Sequence, residues 1–296
     1  MKKNILLAVT LAAVALTGCN NDNEQVQPVG KPEYITVSTH IGAMTRVATN
    51  GNTSTFEDGD KISVYSWTGN ADEVSNTLVV NNAVNTLTTG KWVAAPMMKW
   101  NDMTMPHFFL SVYPSKAIID FKADAVAVDP AKQMESDLLV AVNAGDSKKG
   151  ITATNNPVSL KFDHVMSKLA VQLTFRNEFS GTHTVTSVSA EAMNAGTINY
   201  LTGSVTPTGA AAPFTLPVVK ANDTYASVIL PQEMKKITVV IDGKSYVYTH
   251  PTALQLEKGK TQTVKLIVGR NRIELDQVII NDWENAADIT GGEAVD

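Results

Sequence analysis

Tyr34-Ile35-Thr36-Val37-Ser38-Thr39-His40-Ile41 is the stretch on which the fold turns. Ile35, Val37, Thr39 and Ile41 alternate with Tyr34, Thr36, Ser38 and His40. A period of two residues puts one set on a buried face and the other towards water, as in a half-buried β-strand. Similar short runs recur at residues 61–66, 78–80, 108–113, 138–142, 158–162 and 169–175. They continue at 185–190, 197–201, 226–230, 237–241, 245–249, 263–268 and 277–283. Turn residues separate them: Asp58-Gly59, Thr89-Gly90, Ser180-Gly181, Asp242-Gly243 and Lys258-Gly259. Asp242-Gly243, between two β-rich runs, is the strongest hairpin signal, because that pair favours a type I′ turn.

No stretch sustains a 3.6-residue period, and residues 163–169 hold at most a turn. Short, evenly spaced strands favour antiparallel sandwiches over βαβ units. Roughly seven strands precede residue 160 and about eight follow it, and each set is enough for one sandwich. The polar stretch 146–157 reads as the linker. These patterns predict an all-β chain: a first segment 1–19, a tether and first strand over 20–46, and sandwiches over 47–160 and 161–296.

The segment before the tether has its own signature. Lys2 and Lys3 precede an apolar run over residues 5–16, too short for a membrane span of about 20 residues and right for an export signal. It ends in Leu16-Thr17-Gly18-Cys19, which resembles the lipobox of bacterial lipoproteins. Cys19 is the single cysteine of the chain, so acylation there is expected, and no disulfide framework or CxxC metal site is available. Asn20 stands where an aspartate often marks inner-membrane retention, which favours the outer membrane.

Composition narrows the remaining classes. With 44% hydrophobic and 18% charged residues the chain is suited to a buried core, and a net charge of −5 argues against a nucleic-acid partner. The histidines His40, His107, His164, His183 and His250 form no metal-binding spacing, and no GxSxG or GxGxxG motif occurs. Gly259-Lys260-Thr261 lacks the upstream glycine of a phosphate loop, because Leu254 stands there, and reads as a hairpin turn. Asp58-Gly59-Asp60 runs on into Lys61 and Ile62 without the further oxygen donors of a calcium loop. Catalytic, metal and cofactor residues are therefore all expected to be absent. Trp67, Trp92 and Trp100 could line a sugar-binding face, although tryptophans scattered over several strands are more often core.

An ordered set of short motifs carries a family resemblance. It begins with Thr45-Arg46, then Phe56-x-x-Gly59-Asp60-x-Ile62-x-Val64-Tyr65 and Phe109-x-x-Val112-Tyr113-Pro114. Ser136-Asp137-Leu138-Leu139-Val140-Ala141 and Leu160-x-Phe162-x-His164-x-x-Ser167-Lys168-Leu169 follow. Ile229-Leu230-Pro231-Gln232, Leu256-x-x-Gly259-Lys260 and Ile279-Ile280 before Trp283 complete it. The set resembles the fimbrillins of type V fimbriae, including their minor-subunit and anchor relatives.

The resemblance implies two transthyretin-like antiparallel β-sandwich domains in tandem. It also implies a structural or adhesive component of a cell-surface fimbrium, exported as an outer-membrane lipoprotein precursor lipidated at Cys19. An arginine-specific protease is expected to cut between Arg46 and Val47. That cut frees the strand carrying Ile35, Val37 and Ile41 and leaves a groove for a strand donated by another fimbrial subunit, a copy of the chain or an accessory protein. The donor in this family comes from the C-terminal region, yet residues 284–296 make a poor strand, so 277–283 is the alternative donor. Two other readings remain open: a permanently anchored accessory protein, and a surface glycan-binding lipoprotein using Trp67, Trp92 or Trp100.

Overall fold

The computed structural model describes residues 33–42, 56–179, 181 and 183–283. In chain order the first strands are β1 (Val37–Ile41), β2 (Lys61–Thr68), β3 (Val80–Thr88), β4 (Lys91–Ala95), β5 (His107–Tyr113), β6 (Asp124–Ala127), β7 (Leu139–Asn143) and β8 (Val158–His164). Next come β9 (Ser167–Phe175), β10 (Val185–Ala192), β11 (Ala195–Asn199), β12 (Ser204–Thr208), β13 (Ala212–Thr215) and β14 (Val218–Lys220). The last are β15 (Thr224–Ile229), β16 (Gln232–Ile241), β17 (Lys244–Leu256), β18 (Lys260–Val268) and β19 (Ile273–Asp282). One short helix, α1 (Gln133–Ser136), and three single 3₁₀ turns interrupt this all-β chain.

The strands form a seven-stranded sheet in the order β1-β8-β7-β5-β2-β3-β4 and a five-stranded sheet β14-β15-β9-β18-β19. A four-stranded sheet β13-β10-β16-β17 and a three-stranded sheet β12-β11-β6 complete the fold. Pairing is antiparallel, as expected, except that β1 runs parallel to β8 and β18 parallel to β9. A parallel pair needs a long crossover. Here β2 to β7 supply the crossover in the first case and β10 to β17 in the second.

Turn chemistry explains the hairpins. Asp242 and Gly243 take φ of 48° and 79° between the paired Ile241 and Lys244. Both angles are positive, which is what a two-residue I′ turn demands. Thr89-Gly90, at 48° and 72° between Thr88 and Lys91, makes the same turn. The Asp58 carboxylate accepts hydrogen bonds from the N–H groups of Thr89 and Gly90, so the Asp58-Gly59 turn holds a neighbouring turn in place. Lys258-Gly259 departs from the expected hairpin. It carries the chain from β17 in one sheet to β18 in another, and β18 pairs with β19 and β9. The pattern also missed β4, β6, β12, β13 and β14, which are strands of three to five residues with weak alternation. The run at 78–80 is the start of the longer β3.

Burial divides the apolar residues into two clusters. One gathers Ile35, Val37, Ile62, Val64, Met98, Trp100, Phe109, Leu160 and Phe162 on one face of the seven-stranded sheet. The other takes the opposite face, with Tyr65, Trp67, Phe108, Leu110 and Val112, and continues through Leu169, Val188, Ile198, Ile237 and Val264. β2 and β5 are covered on both faces, so their inner residues are buried without alternation. The serines of these strands are buried too: Ser111 Oγ donates to the Ser63 carbonyl and Ser63 Oγ meets Ser115 Oγ, while the Ser66 hydroxyl is left without a partner among the described residues.

Candidate functional site: the first strand and its groove

The first strand is the closing piece of the seven-stranded sheet. β1 pairs with β8 in register from Val37 opposite Val158 to Ile41 opposite Phe162. Beside it, β8 alternates perfectly, with Val158, Leu160, Phe162 and His164 turned inward. Ile35 and Val37 are 3% and 8% exposed, and both belong to the core cluster under the sheet. Ile41 is half-buried at the far end. The alternation read from the sequence is therefore the alternation that packs. Regular pairing to β8, however, begins at Val37.

The Thr36 carbonyl still accepts from the Val158 N–H of β8 at 2.8 Å, whereas Glu33, Tyr34 and Ile35 face a different neighbour. Ile35 N–H donates to the Met98 carbonyl at 2.9 Å, Tyr34 bridges Lys99, and Trp100 N–H reaches the Glu33 carbonyl at 3.4 Å. On the outside, the Lys99 ammonium pairs with Glu33 at 2.8 Å and sits 4.9 Å from the centre of the Tyr34 ring. The Glu33 carboxylate beside it raises the pKa of Lys99. The start of this segment thus lies between residues 98–100, just past β4 at one edge of the sheet, and β8 near the other. The sheet has curled until its edges meet, and residues 34–41 fill the seam.

Two side chains hold the backbone and one hydroxyl of this strand. The Asn156 carboxamide accepts from Thr36 N–H at 2.9 Å and donates to the Tyr34 carbonyl at 3.3 Å. Trp92, on β4, donates its indole N–H to Thr39 Oγ1 at 2.9 Å. The strand closes with Gly42 N–H donating to the Phe162 carbonyl at 2.8 Å. Beyond it, Phe56 meets Trp92, Tyr113 and Phe162 edge to face, each with centroids 5.3 Å apart. Ile41, Phe56, Tyr113, Leu139 and His164 line a cavity of about 240 Å³ at this end. Burial and the Asp60 carboxylate, which accepts the Tyr113 hydroxyl at 3.0 Å, push the pKa of Tyr113 up to about 12. His164 Nδ1 lies 2.8 Å from Asp137 Oδ1, and its ring stacks on Trp283 with centroids 4.5 Å apart.

Of the residues singled out in the sequence, Ile35, Val37 and Ile41 come together along this seam. Cys19, Arg46 and Val47 lie outside the described residues. The tryptophans do not form one exposed face: Trp92 and Trp100 pack in the same cluster and Trp67 in the other. Trp67 is fully buried, Trp100 is buried, and Trp92 is half-buried beside Thr39. Trp92 and Asn156 escaped the sequence reading as partners of the first strand, since both contacts cross more than fifty residues of chain. Among the described residues, no three His, Cys, Asp or Glu side chains are grouped to hold a metal, and no helix is long and apolar enough to cross a membrane. Asp58-Gly59-Asp60 is spent on turns, with Asp60 Oδ2 accepting from Glu57 N–H.

A family model described as fimbrillin-like matches residues 45–283. Solved structures share the fold. A candidate cell adhesion protein from Bacteroides uniformis superposes with a TM-score of 0.61 at 21% identity, covering 77% of this chain and 93% of that one. Another from Bacteroides ovatus gives 0.61 at 16% identity, covering 84% and 97%. A fimbrial protein from Bacteroides vulgatus gives 0.50 at 13% identity, covering 84% and 99%. No curated protein matches the sequence.

Proposed function

The chain belongs to the fimbrillin-like family, and from that premise we propose that it is a subunit of a cell-surface fimbrium whose first strand is exchanged for a strand of another subunit. The observation that carries this reading is the seating of residues 33–41 along a seam, with Ile35 and Val37 buried, β8 paired along β1 on one side, and residues 98–100 and Trp92 reaching the segment from the other. A strand placed this way leaves a pre-shaped groove when it departs: β8 offers unpaired backbone groups, and Val158, Leu160 and Phe162 form the apolar floor. An open edge is a template for another strand. Backbone hydrogen bonds supply affinity, and the alternate side chains supply specificity.

Release needs a cut. While β1 is tethered, its effective concentration over the groove is on the order of millimolar, so it outcompetes any free strand. Cleavage between Arg46 and Val47 by an arginine-specific protease turns it into a non-covalently held peptide. A head-to-tail contact that fills each groove with the next subunit's strand does not close on itself and propagates as a filament. The precursor is held at the outer membrane through acylated Cys19, where each buried CH₂ adds about 0.8 kcal/mol. The function is structural and adhesive, without catalysis, cofactor or nucleic acid.

Digestion of the full, lipid-free chain with an arginine-specific protease tests this. The expected product starts at Val47 and builds ladders stable to mild denaturant, while Arg46→Ala stays monomeric. A cut chain that remains monomeric at high concentration contradicts self-polymerisation. Cys19→Ala is expected to lose membrane association on fractionation; retention there contradicts the anchor.

A further inference from the structure

We infer that Trp92 and Asn156 read the strand that occupies the groove, selecting one that runs parallel to β8 and carries a hydrogen-bond acceptor at the position of Thr39. The inference rests on the exchange reading and names what the groove accepts.

The inward positions of the first strand are not equivalent. Ile35 and Val37 sit in the apolar cluster, and Ile41 lies against the Phe56 end. Thr39, between Val37 and Ile41, meets the indole N–H of Trp92 instead. Trp92 is itself packed against the core, with Phe56 on its ring. A strand with a purely apolar side chain at this position covers the indole N–H without giving it an acceptor, and a buried donor left unpaired is costly. An empty groove leaves the same N–H to water. Trp92 therefore penalises a wrong strand more than it penalises no strand, which is how discrimination is built. Asn156 adds polarity and register. Its carboxamide accepts from one residue's N–H and donates to the carbonyl two residues earlier, so it imitates the edge of a neighbouring strand at a single point.

The rule becomes apolar, x, apolar, x, acceptor, x, apolar. Among the edge strands of this fold, β19 satisfies it in one register: Ile273, Leu275, Gln277 and Ile279 take the places of Ile35, Val37, Thr39 and Ile41. A second copy's β19 is thus the occupant that the groove chemistry selects. None of the ten β19 residues is buried in its own sheet, and Leu275 and Ile280 are 36% and 51% exposed. A bulge where Leu275 and Gln277 face Leu266 and Lys265 breaks its alternation there, and a regular strand restores it.

Two measurements decide the matter. In the intact chain, amide exchange of β1 is followed in Thr39→Val, Trp92→Phe and the double variant. Thr39→Val is expected to lower protection about tenfold, and the loss is expected to shrink when Trp92 is already Phe. Independent, additive effects overturn the assignment of Trp92. In the chain cut at Arg46, a peptide of residues 273–282 is expected to bind about tenfold more tightly than its Gln277→Leu form, with the preference gone in Trp92→Phe and both peptides weaker in Asn156→Ala. Equal or tighter binding of the leucine peptide overturns the acceptor rule. If coupling holds in the intact chain but the cut chain captures neither peptide, exchange fails while Trp92 still stands as the reader of β1.

Discussion

β1 and β19 are both outermost strands of their sheets, yet they are bound by opposite means. β1 is five residues long, and together with Ile35 just before it places Ile35 and Val37 in a core cluster under its sheet. β19 is ten residues long and none of them is fully buried: Ile273 and Val278 rest half-buried on the other cluster. The strand holds to β18 through a ladder of backbone pairs with one bulge, and through ion pairs. Lys260 with Asp282 links β18 to β19, while Glu274 pairs with Arg176 just past β9 and with Arg272 just before β19. Exposed pairs of this kind contribute about 0–1 kcal/mol each. The contrast teaches that strand length and hydrogen-bond count do not measure how much a strand matters. Losing β1 removes fully buried side chains from a core, whereas losing β19 opens an edge and removes only half-buried ones.

The contrast breaks if mutations in the two strands cost the same. The largest effect is expected at the floor of the groove: Phe162→Ala should destabilise by about 3–5 kcal/mol in denaturant unfolding. Ile35→Ala should follow at about 2–5 kcal/mol, because it leaves a cavity that Met98 and Trp100 cannot fill without moving. Leu275→Ala in β19 should stay within about 0.5 kcal/mol, the range of an ordinary surface change.

A pH series sharpens the same contrast. His107 is fully buried, edge-on to Trp100 in the cluster that β1 covers, and burial lowers its pKa. A histidine whose folded pKa lies below its unfolded value of about 6.5 stabilises fully above that pH. The contribution is lost as pH falls from there through the folded pKa. Stability to denaturant should therefore decline below about pH 6.5, and His107→Gln should flatten that decline. An unchanged slope in the variant would assign the acid sensitivity elsewhere.

The first strand was legible because Ile35, Val37, Thr39 and Ile41 follow a period of two, the same signal that β8 carries in Val158, Leu160 and Phe162. Its partner was not, because parallel pairing to β8 is decided more than a hundred residues away and leaves no local mark. The hairpins at Thr89-Gly90 and Asp242-Gly243 were legible for the reason that positive φ at both turn positions narrows the residue choice. The double burial of β2 and β5 was not legible: Ser63, Ser66 and Ser111 are polar residues within these runs, yet they lie buried under a second layer. β12 and β13 hide because Pro207 and Pro213 interrupt short runs that pair only along sheet edges. At the site, Thr39 read as one more inward residue, and nothing in the sequence announced that an indole on β4 would meet its hydroxyl.

The central claim is that a cut first strand is held by contacts alone and gives way to another strand. It is tested most directly by cutting the full, lipid-free chain at Arg46 and adding an excess of isotopically labelled peptide of residues 33–46. Native mass spectrometry then follows the bound strand over time. The account predicts that the cut chain replaces its own strand with the labelled one and stays folded, while the uncut chain takes up no label. A cut chain that keeps its original strand without exchange, or unfolds as the strand leaves, would contradict it.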